Sequence, residues 1–231
     1  VEQPLPFLFG NALEAKGFAV GFRIEHPQRV INRIQYGSDW GPRVITGKKS
    51  TDDYNQEIFD EDIAAGSSCG HLPVPSYRLA TDRAFDGNQT RGVYSFCMCP
   101  GGQIVPTSTE IDELCVNGMS FSRRDSQWAN SALVVTVAAS DTVLEPYVAK
   151  HGVLAGIAFQ REIERRAAVM GGGNFTVPVQ RATDFINQVA STTVPSSSYR
   201  LGVEPSPCHE LYPASLYAAL CDALSNHFEQ K

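Results

Sequence analysis

Strand signals and long helix signals occupy different stretches of this sequence, and that segregation limits the fold more than any single motif. Phe18 to His26, FAVGFRIEH, alternates: Phe18, Val20, Phe22 and Ile24 point one way, and Ala19, Gly21, Arg23 and Glu25 the other, as in a half-buried strand. His26-Pro27 ends it, because proline removes a backbone donor. Ser76–Ala80 reads as a short strand and Ala84–Gly92 as a loop. Val93–Cys99 is a strand, Gln103–Val105 its return, Glu113–Ser120 a third and Ala132–Val137 a fourth. A short helix is expected over Gln28–Gln35. The long helical pattern comes later, over Val153–Met170, with Phe159, Ile163, Ala167 and Met170 on one face and Gly171-Gly172-Gly173 to stop it. Ala182–Val189 is a further short helix. Pro213 opens a last one, striped by Leu216, Leu220 and Leu224. Strands do not alternate regularly with helices. The expected class is therefore α+β, a mixed and largely antiparallel β-meander with flanking helices, rather than doubly wound α/β.

A hydrophobic fraction of 42% is enough to build a real core, so the chain is not compositionally disordered. Its net charge of −6 argues against a general nucleic-acid binder. No apolar run approaches the roughly 18 residues that span a bilayer. The opening VEQPLPFLFGNALEAKG has no basic segment ahead of an apolar one and is not read as a signal peptide. Cysteines at 69, 97, 99, 115, 208 and 221 are too sparse for a disulfide framework. Gly37–Gly70, rich in Gly, Ser, Asp and Asn, reads as a loop insertion.

Three stretches compete as sites. In Cys97-Met98-Cys99 a regular strand would put both thiols on one face. No second ligand pair at metal spacing accompanies them, so no metal site is assigned and the plain reading is two small buried hydrophobes. Pro100-Gly101-Gly102 suits a tight turn, with proline at one centre and glycine at φ > 0 at the next. It is either an ordinary hairpin turn or a place where backbone approaches a ligand closely. SFSRRDSQWANS, Ser120–Ser131, collects Arg123, Arg124, Asp125 and Asn130 on a polar loop. It is either a solvated Arg–Asp pair or a grip for an anionic or carbonyl substrate. Arg161, Glu162, Glu164, Arg165 and Arg166 are expected to be a solvated helix face. No G-x-G-x-x-G follows a strand, so the chain shows no dinucleotide fingerprint of its own.

FAVGFRIEHPQ, GVYSFCMCPGGQIVPTSTE, ELCVNGMSFSRRDSQWANSALVVTV, LAGIAFQREIERRAAVMGGG and VPVQRATDF resemble successive blocks of one family, from about Phe18 to about Leu211. It is the family of uncharacterised FAD-dependent oxidoreductases, NAD-utilising dehydrogenase-like flavoproteins of bacteria, cyanobacteria and plants. CMCPGG, NGMS and ANSA are its most specific words, and the CPGGQIVPTSTE and NGMSFSRR wording resembles the plant and algal branch. The resemblance implies that residues 1–231 are the inserted, substrate or cap domain of a two-domain flavoprotein. The Rossmann FAD-binding segments would then lie beyond both ends, and the isolated piece would be inactive. It implies FAD as cofactor in the complete protein, NAD(P)H as a candidate electron donor, and a small-molecule substrate. The partner would be the rest of the FAD-binding chain, with no nucleic acid and no membrane span. The cytoplasm, or the plastid stroma of a plant or alga, would be the compartment. On this basis Cys99, Pro100, Gly101, Gly102 and Asn130 become candidates for the cofactor side, and Arg123, Arg124 and Asp125 for catalysis. A different class of function stays open: an interaction or regulatory module derived from the same domain, without chemistry.

Overall fold

The computed structural model describes residues 13–37, 73–85, 89–194 and 196–228. The expected insertion falls almost wholly outside these residues. The α+β class is correct. β1 (Phe18–Pro27), β2 (Ala80–Phe85), β3 (Gln89–Cys99) and β6 (Trp128–Val137) form an antiparallel sheet in the order β1-β6-β3-β2. β4 (Gly102–Pro106) and β5 (Val116–Ser120) form a separate hairpin, and β7 (Val177–Val179) pairs in parallel with β8 (Val203–Pro205). Among the described residues, no helix is long and apolar enough to cross a membrane.

Alternation in the two central strands decides which face is covered. In β6 Leu133, Val135 and Val137 are buried, while Ala132, Val134 and Thr136 are half-buried. The first set joins Phe18, Val20, Phe22 and Ile24 of β1 and Val93 of β3 in one core. Over it lie α2 (Glu145–His151), α3 (Ala155–Met170), α4 (Ala182–Ile186) and α5 (Ala214–Asp222). Phe159 of α3 is buried between Phe18 and Tyr147, with ring centroids at 6.3 and 5.7 Å. Phe22 meets Phe185 and Tyr212 edge-on, at 5.3 and 5.0 Å. Fully burying one such side chain is worth roughly 1.5–3 kcal/mol. Leu216 and Leu220, the expected stripe of the last helix, are both fully buried. Beyond α5 the chain continues as a π-helical turn, Ala223–Phe228.

Several sequence expectations need correction. Ser76–Leu79 is not strand; β2 starts at Ala80 and, with β3, takes up most of the expected Ala84–Gly92 loop. Gln103–Val105 does not return against Val93–Cys99. Its strand, β4, pairs with β5, because the chain turns off the main sheet at Pro100-Gly101. β6 begins at Trp128, inside the expected polar loop, since its first residues complete the ladder with β1 at Pro27 and His26. α2 was hidden by its short length, and the β7–β8 pair by its three-residue strands. α1 (Gln28–Tyr36) fulfils the short helix expected after Pro27.

The charged face of α3 is not simply solvated. Arg165 Nη2 reaches the buried Glu113 carboxylate at 3.1 Å, and Arg166 donates to the Glu210 carbonyl at 2.6 Å. Burial, and then the neighbouring Glu113, push the Glu164 carboxyl up from its ordinary range, against the opposing pull of Arg161. This face therefore clamps the loop ahead of β5 onto the helix, with Leu114 N donating to the Glu164 carbonyl.

Candidate functional site

The second face of the sheet carries the chemistry. Arg23 and Ala132 are cross-strand partners, as are Ala132 and Phe96, so the three stand in one row on that face. One step along, Glu25, Asn130 and Cys99 make the next row. The Arg23 guanidinium crosses β6 to reach β3. Its Nε donates to Asn130 Oδ1 at 3.1 Å and its Nη2 donates to the same oxygen. Nη2 also reaches the Cys97 carbonyl at 2.9 Å and lies 3.6 Å from Cys99 Sγ. Nη1 donates to Asn117 Oδ1 at 3.3 Å. All of these acceptors are neutral. Among the described residues no carboxylate pairs with Arg23. Glu25, the next residue on that face of β1, is taken by Ser198 through the backbone N–H, at 3.2 Å, and the hydroxyl.

Local backbone is shaped around this arginine. Pairing between β3 and β6 slips between Phe96 and Cys99, a β-bulge. Cys97 sits in it at φ 45°, a conformation that a residue with a Cβ seldom adopts. The bulge breaks the strand period, so the two thiols do not share a face: Cys97 is exposed and Cys99 is buried. It also brings the Cys97 carbonyl onto Arg23. Gly118 is needed opposite, because a Cβ there would collide with Arg23 Nη2 and Asn130 Oδ1.

Pro100, Gly101 and Gly102 are buried, and the Gly101 N–H is already donated to the buried Gln28 side chain at 2.7 Å. Gly101 takes φ 52°, and a Cβ there would strike the Arg124 carbonyl. The 120–126 loop laces the turn from the other side: Ser120 Oγ donates to the Pro100 carbonyl and Ser126 Oγ to the Gly102 carbonyl, both at 2.9 Å. Two of the stretches singled out in the sequence are thus one packed unit. Within it Arg123 pairs with Asp125 at 3.0 Å on the surface, where Arg123 is 82% exposed, and Arg124 is exposed at φ 52°. Asn130 belongs instead to the Arg23 cluster. It is fully buried, and its Nδ2 has no acceptor among the described residues.

Sequence reasoning placed Arg23 on the outward face and gave it no role. Its partners lie 74 to 107 positions away, beyond the reach of any local motif. The one signal it offered was an arginine in the middle of a strand whose first six residues are otherwise apolar. A second group was missed in the same way. His26 Nε2 lies 3.0 Å from Tyr77 Oη; burial lowers the pKa of the histidine, and burial pushes that of the tyrosine up to about 12 against the pull of Ser131 and Arg23. Among the described residues no cluster of histidine, cysteine and carboxylate is placed to hold a metal.

A groove of 1420 Å³ runs along β1, the edge strand. Val20, Phe22, Ile163, Phe185 and Leu211 give it apolar walls, and Arg23, Glu25, Gln160 and Gln180 line it with polar groups. The sequence candidates at 99–102, 123–125 and 130 do not line it.

A family model described as "FAD-dependent protein, C-terminal domain-like" matches residues 53–231. A protein of Clostridium beijerinckii with the name "Uncharacterized protein" is 36% identical over 222 residues, which cover 95% of this chain and 35% of that protein. The chain therefore spans about a third of the length of that relative. By the extent of the model match, more than half of its length, the chain belongs to the FAD-dependent protein, C-terminal domain-like family.

Proposed function

We propose that the chain is part of an FAD-dependent oxidoreductase, in which this α+β domain covers the flavin and shapes the pocket for a small-molecule substrate. The observation that carries the reading is the groove along β1. Its walls are largely apolar, and charged and amide side chains stand among them, a make-up suited to a cofactor or substrate site. Membership of an FAD-dependent family supports the choice of cofactor.

The residues present fit one part of FAD and not another. The apolar walls with Arg23 beside them suit the isoalloxazine ring. The diphosphate wants a glycine-rich turn from strand into helix. The described turns of that kind, at Pro27, 138–144 and 180–181, contain no glycine. In this reading the remainder of the longer protein binds the adenosine diphosphate end.

When bound, the flavin supplies the electron chemistry. This chain supplies orientation and electrostatics. Phe22, Phe185 and Leu211 exclude water from the groove. Arg23 adds a fixed positive charge, strengthened by the low-dielectric wall behind it. His26, kept neutral by burial and bonded to Tyr77, and Glu164, whose carboxyl is pushed up by burial and by Glu113, are groups on the groove able to hold or pass a proton. Arg123, Arg124 and Asp125 stand at the rim of the packed turn, where substrate or the rest of the protein would meet them.

The test is a visible absorption spectrum of the protein expressed to its natural ends. Flavin bands that bleach on reduction support the reading. A folded, colourless protein that ignores added FAD overturns it.

A further inference from the structure

We propose that Arg23 and Asn117 form a carboxylate-binding site on the open face of the main sheet, and that the ligand is an aromatic carboxylate. A guanidinium has five N–H groups. Those on Nε and Nη2 are directed at Asn130 and Cys97, and one on Nη1 at Asn117. The other N–H on Nη1 has no acceptor among the described residues. Asn117 Oδ1 accepts from Nη1 and from its neighbour Gly118 N, at 3.3 and 2.8 Å, which fixes the amide. Asn117 Nδ2 then has no partner among the described residues and belongs to an exposed side chain whose Oδ1 is bonded to Nη1. Two adjacent N–H donors, one of them cationic, match the two oxygens of a carboxylate.

The cluster is also unbalanced as it stands. Four strands converge to hold a cation with neutral oxygens alone. Behind it the buried Asn130 Nδ2 is a further donor without an acceptor among the described residues. The bulge at Cys97 holds a strained backbone in place to complete the cradle, and strain of this kind collects at ligand sites. Among the described residues the buried arginine, Arg91, has a carboxylate partner. Phosphate is a poorer match, since no second cation is bonded into the cluster.

The body of the ligand follows from the neighbours. Phe96 is 57% exposed in the same row as Arg23, with only the small Ala132 between them. Tyr94 meets Phe96 edge-on, at 6.5 Å. Met119, two residues beyond Asn117 on the same side of β5, is exposed as well. A ring placed over Ala132 would lie against these groups with its carboxylate on Arg23 and Asn117. That such a ligand is the substrate of a flavin reaction rests on the preceding reading; the carboxylate site does not.

The experiment titrates benzoate into the protein expressed to its natural ends, followed by ligand-observed NMR and calorimetry at low salt. Benzyl alcohol serves as the uncharged control. Benzoate is expected to saturate and benzyl alcohol not. Loss of a charge-assisted contact should weaken benzoate about tenfold or more in Arg23→Gln, and less in Asn117→Ala. Arg23→Lys should recover part of the loss, keeping the charge but not the fork. Asn117 is exposed, so Asn117→Ala should melt like the parent and separates binding from folding. Benzoate held no better than benzyl alcohol, or bound equally by a normally folded Asn117→Ala, overturns the proposal. A colourless protein that binds benzoate through Arg23 keeps this site and sinks the flavin reading. A yellow protein indifferent to benzoate does the reverse.

Discussion

The two faces of the main sheet hold two arginines in opposite ways. On the helix-covered side of the molecule, Arg91 is 6% exposed and grips Asp141 with both Nη atoms, at 2.6 and 2.9 Å, while Asp141 also accepts from Val143 N. Every charge there is matched. On the open face Arg23 is ringed by an amide, a second amide and a carbonyl, and nothing negative among the described residues is bonded to it. Burying an unpaired charge is costly, and even a paired one is only marginally favourable. A fold that completes one arginine and leaves the other short of an anion has used the first for structure and reserved the second.

The sharpest way to break this comparison is to remove one large side chain from each face. Phe159→Ala should destabilise by about 3–5 kcal/mol, because it opens a cavity under Phe18 and Tyr147. Phe96→Ala should change stability by less than about 1 kcal/mol, since its ring is mostly in water already. Urea denaturation gives both numbers. Equal losses would mean that the open face is a second core. Asp141→Ala comes next. Leaving Arg91 buried and unpaired should take away about 3 kcal/mol, at the low end of what a broken buried pair removes. A double replacement by apolar residues of similar size should recover most of it.

A pH series tests the sheet end where the two faces meet. Burial holds His26 below its ordinary value of 6.5, so the unfolded chain takes a proton where the folded one does not. Stability from this group is complete above pH 6.5 and falls as the pH drops below it toward the folded value. His26→Asn should flatten that part of the curve. Tyr77 acts at the other end. Its unfolded form ionises from about pH 10, but the folded one keeps its proton to about 12, so stability falls as the pH rises through that window. Tyr77→Phe should reduce the alkaline loss and leave part of it, because burial raises Tyr212 as well.

How much of this was legible in the sequence differs between the faces for the same reason that the arginines differ. The covered face announces itself locally. Phe18, Val20, Phe22 and Ile24 alternate within nine residues, and Phe159 and Ile163 recur at helical spacing, so the core could be read from a window. The turn at Pro100-Gly101 was legible for the same reason: proline and a glycine at φ 52° are a local demand. The Arg23 cluster is assembled from β1, β3, β5 and β6, and no window contains it. Asn130 was singled out, but with Arg123 and Asp125 beside it in sequence rather than with Arg23, its hydrogen-bond partner on the adjacent strand. The bulge was not legible at all. CMC reads as a regular strand until Cys97 is turned to meet a side chain 74 positions earlier.

That bulge gives a smaller prediction. A non-glycine residue at φ 45° is strained by roughly 1 kcal/mol, and glycine relieves it at some entropic cost in the unfolded chain. Cys97→Gly should therefore leave stability unchanged or raise it by up to about 1 kcal/mol. Its carbonyl still meets Arg23, so benzoate affinity should hold. A loss of affinity with stability retained would show that the Cβ of Cys97, and not only its backbone, shapes the site.

The smallest effect should come from Arg123, and it bears on which arginine meets an anion. Arg123 is 82% exposed and its partner Asp125 is 48% exposed, so the pair is screened and contributes at most about 0.5 kcal/mol. Arg123→Ala should shift the urea midpoint barely at all. Its ion pair already supplies the negative charge that Arg23 lacks, so benzoate binding should stay within about twofold of the parent, a difference of roughly 0.4 kcal/mol. Of the two arginines only Arg23 sits in a cradle that a Cβ at Gly118 would fill. If Arg123→Ala weakened benzoate as much as Arg23→Gln did, the anion would be held by the loop over the Pro100–Gly102 turn. The bulge, the glycine and the two asparagines around Arg23 would then need another explanation.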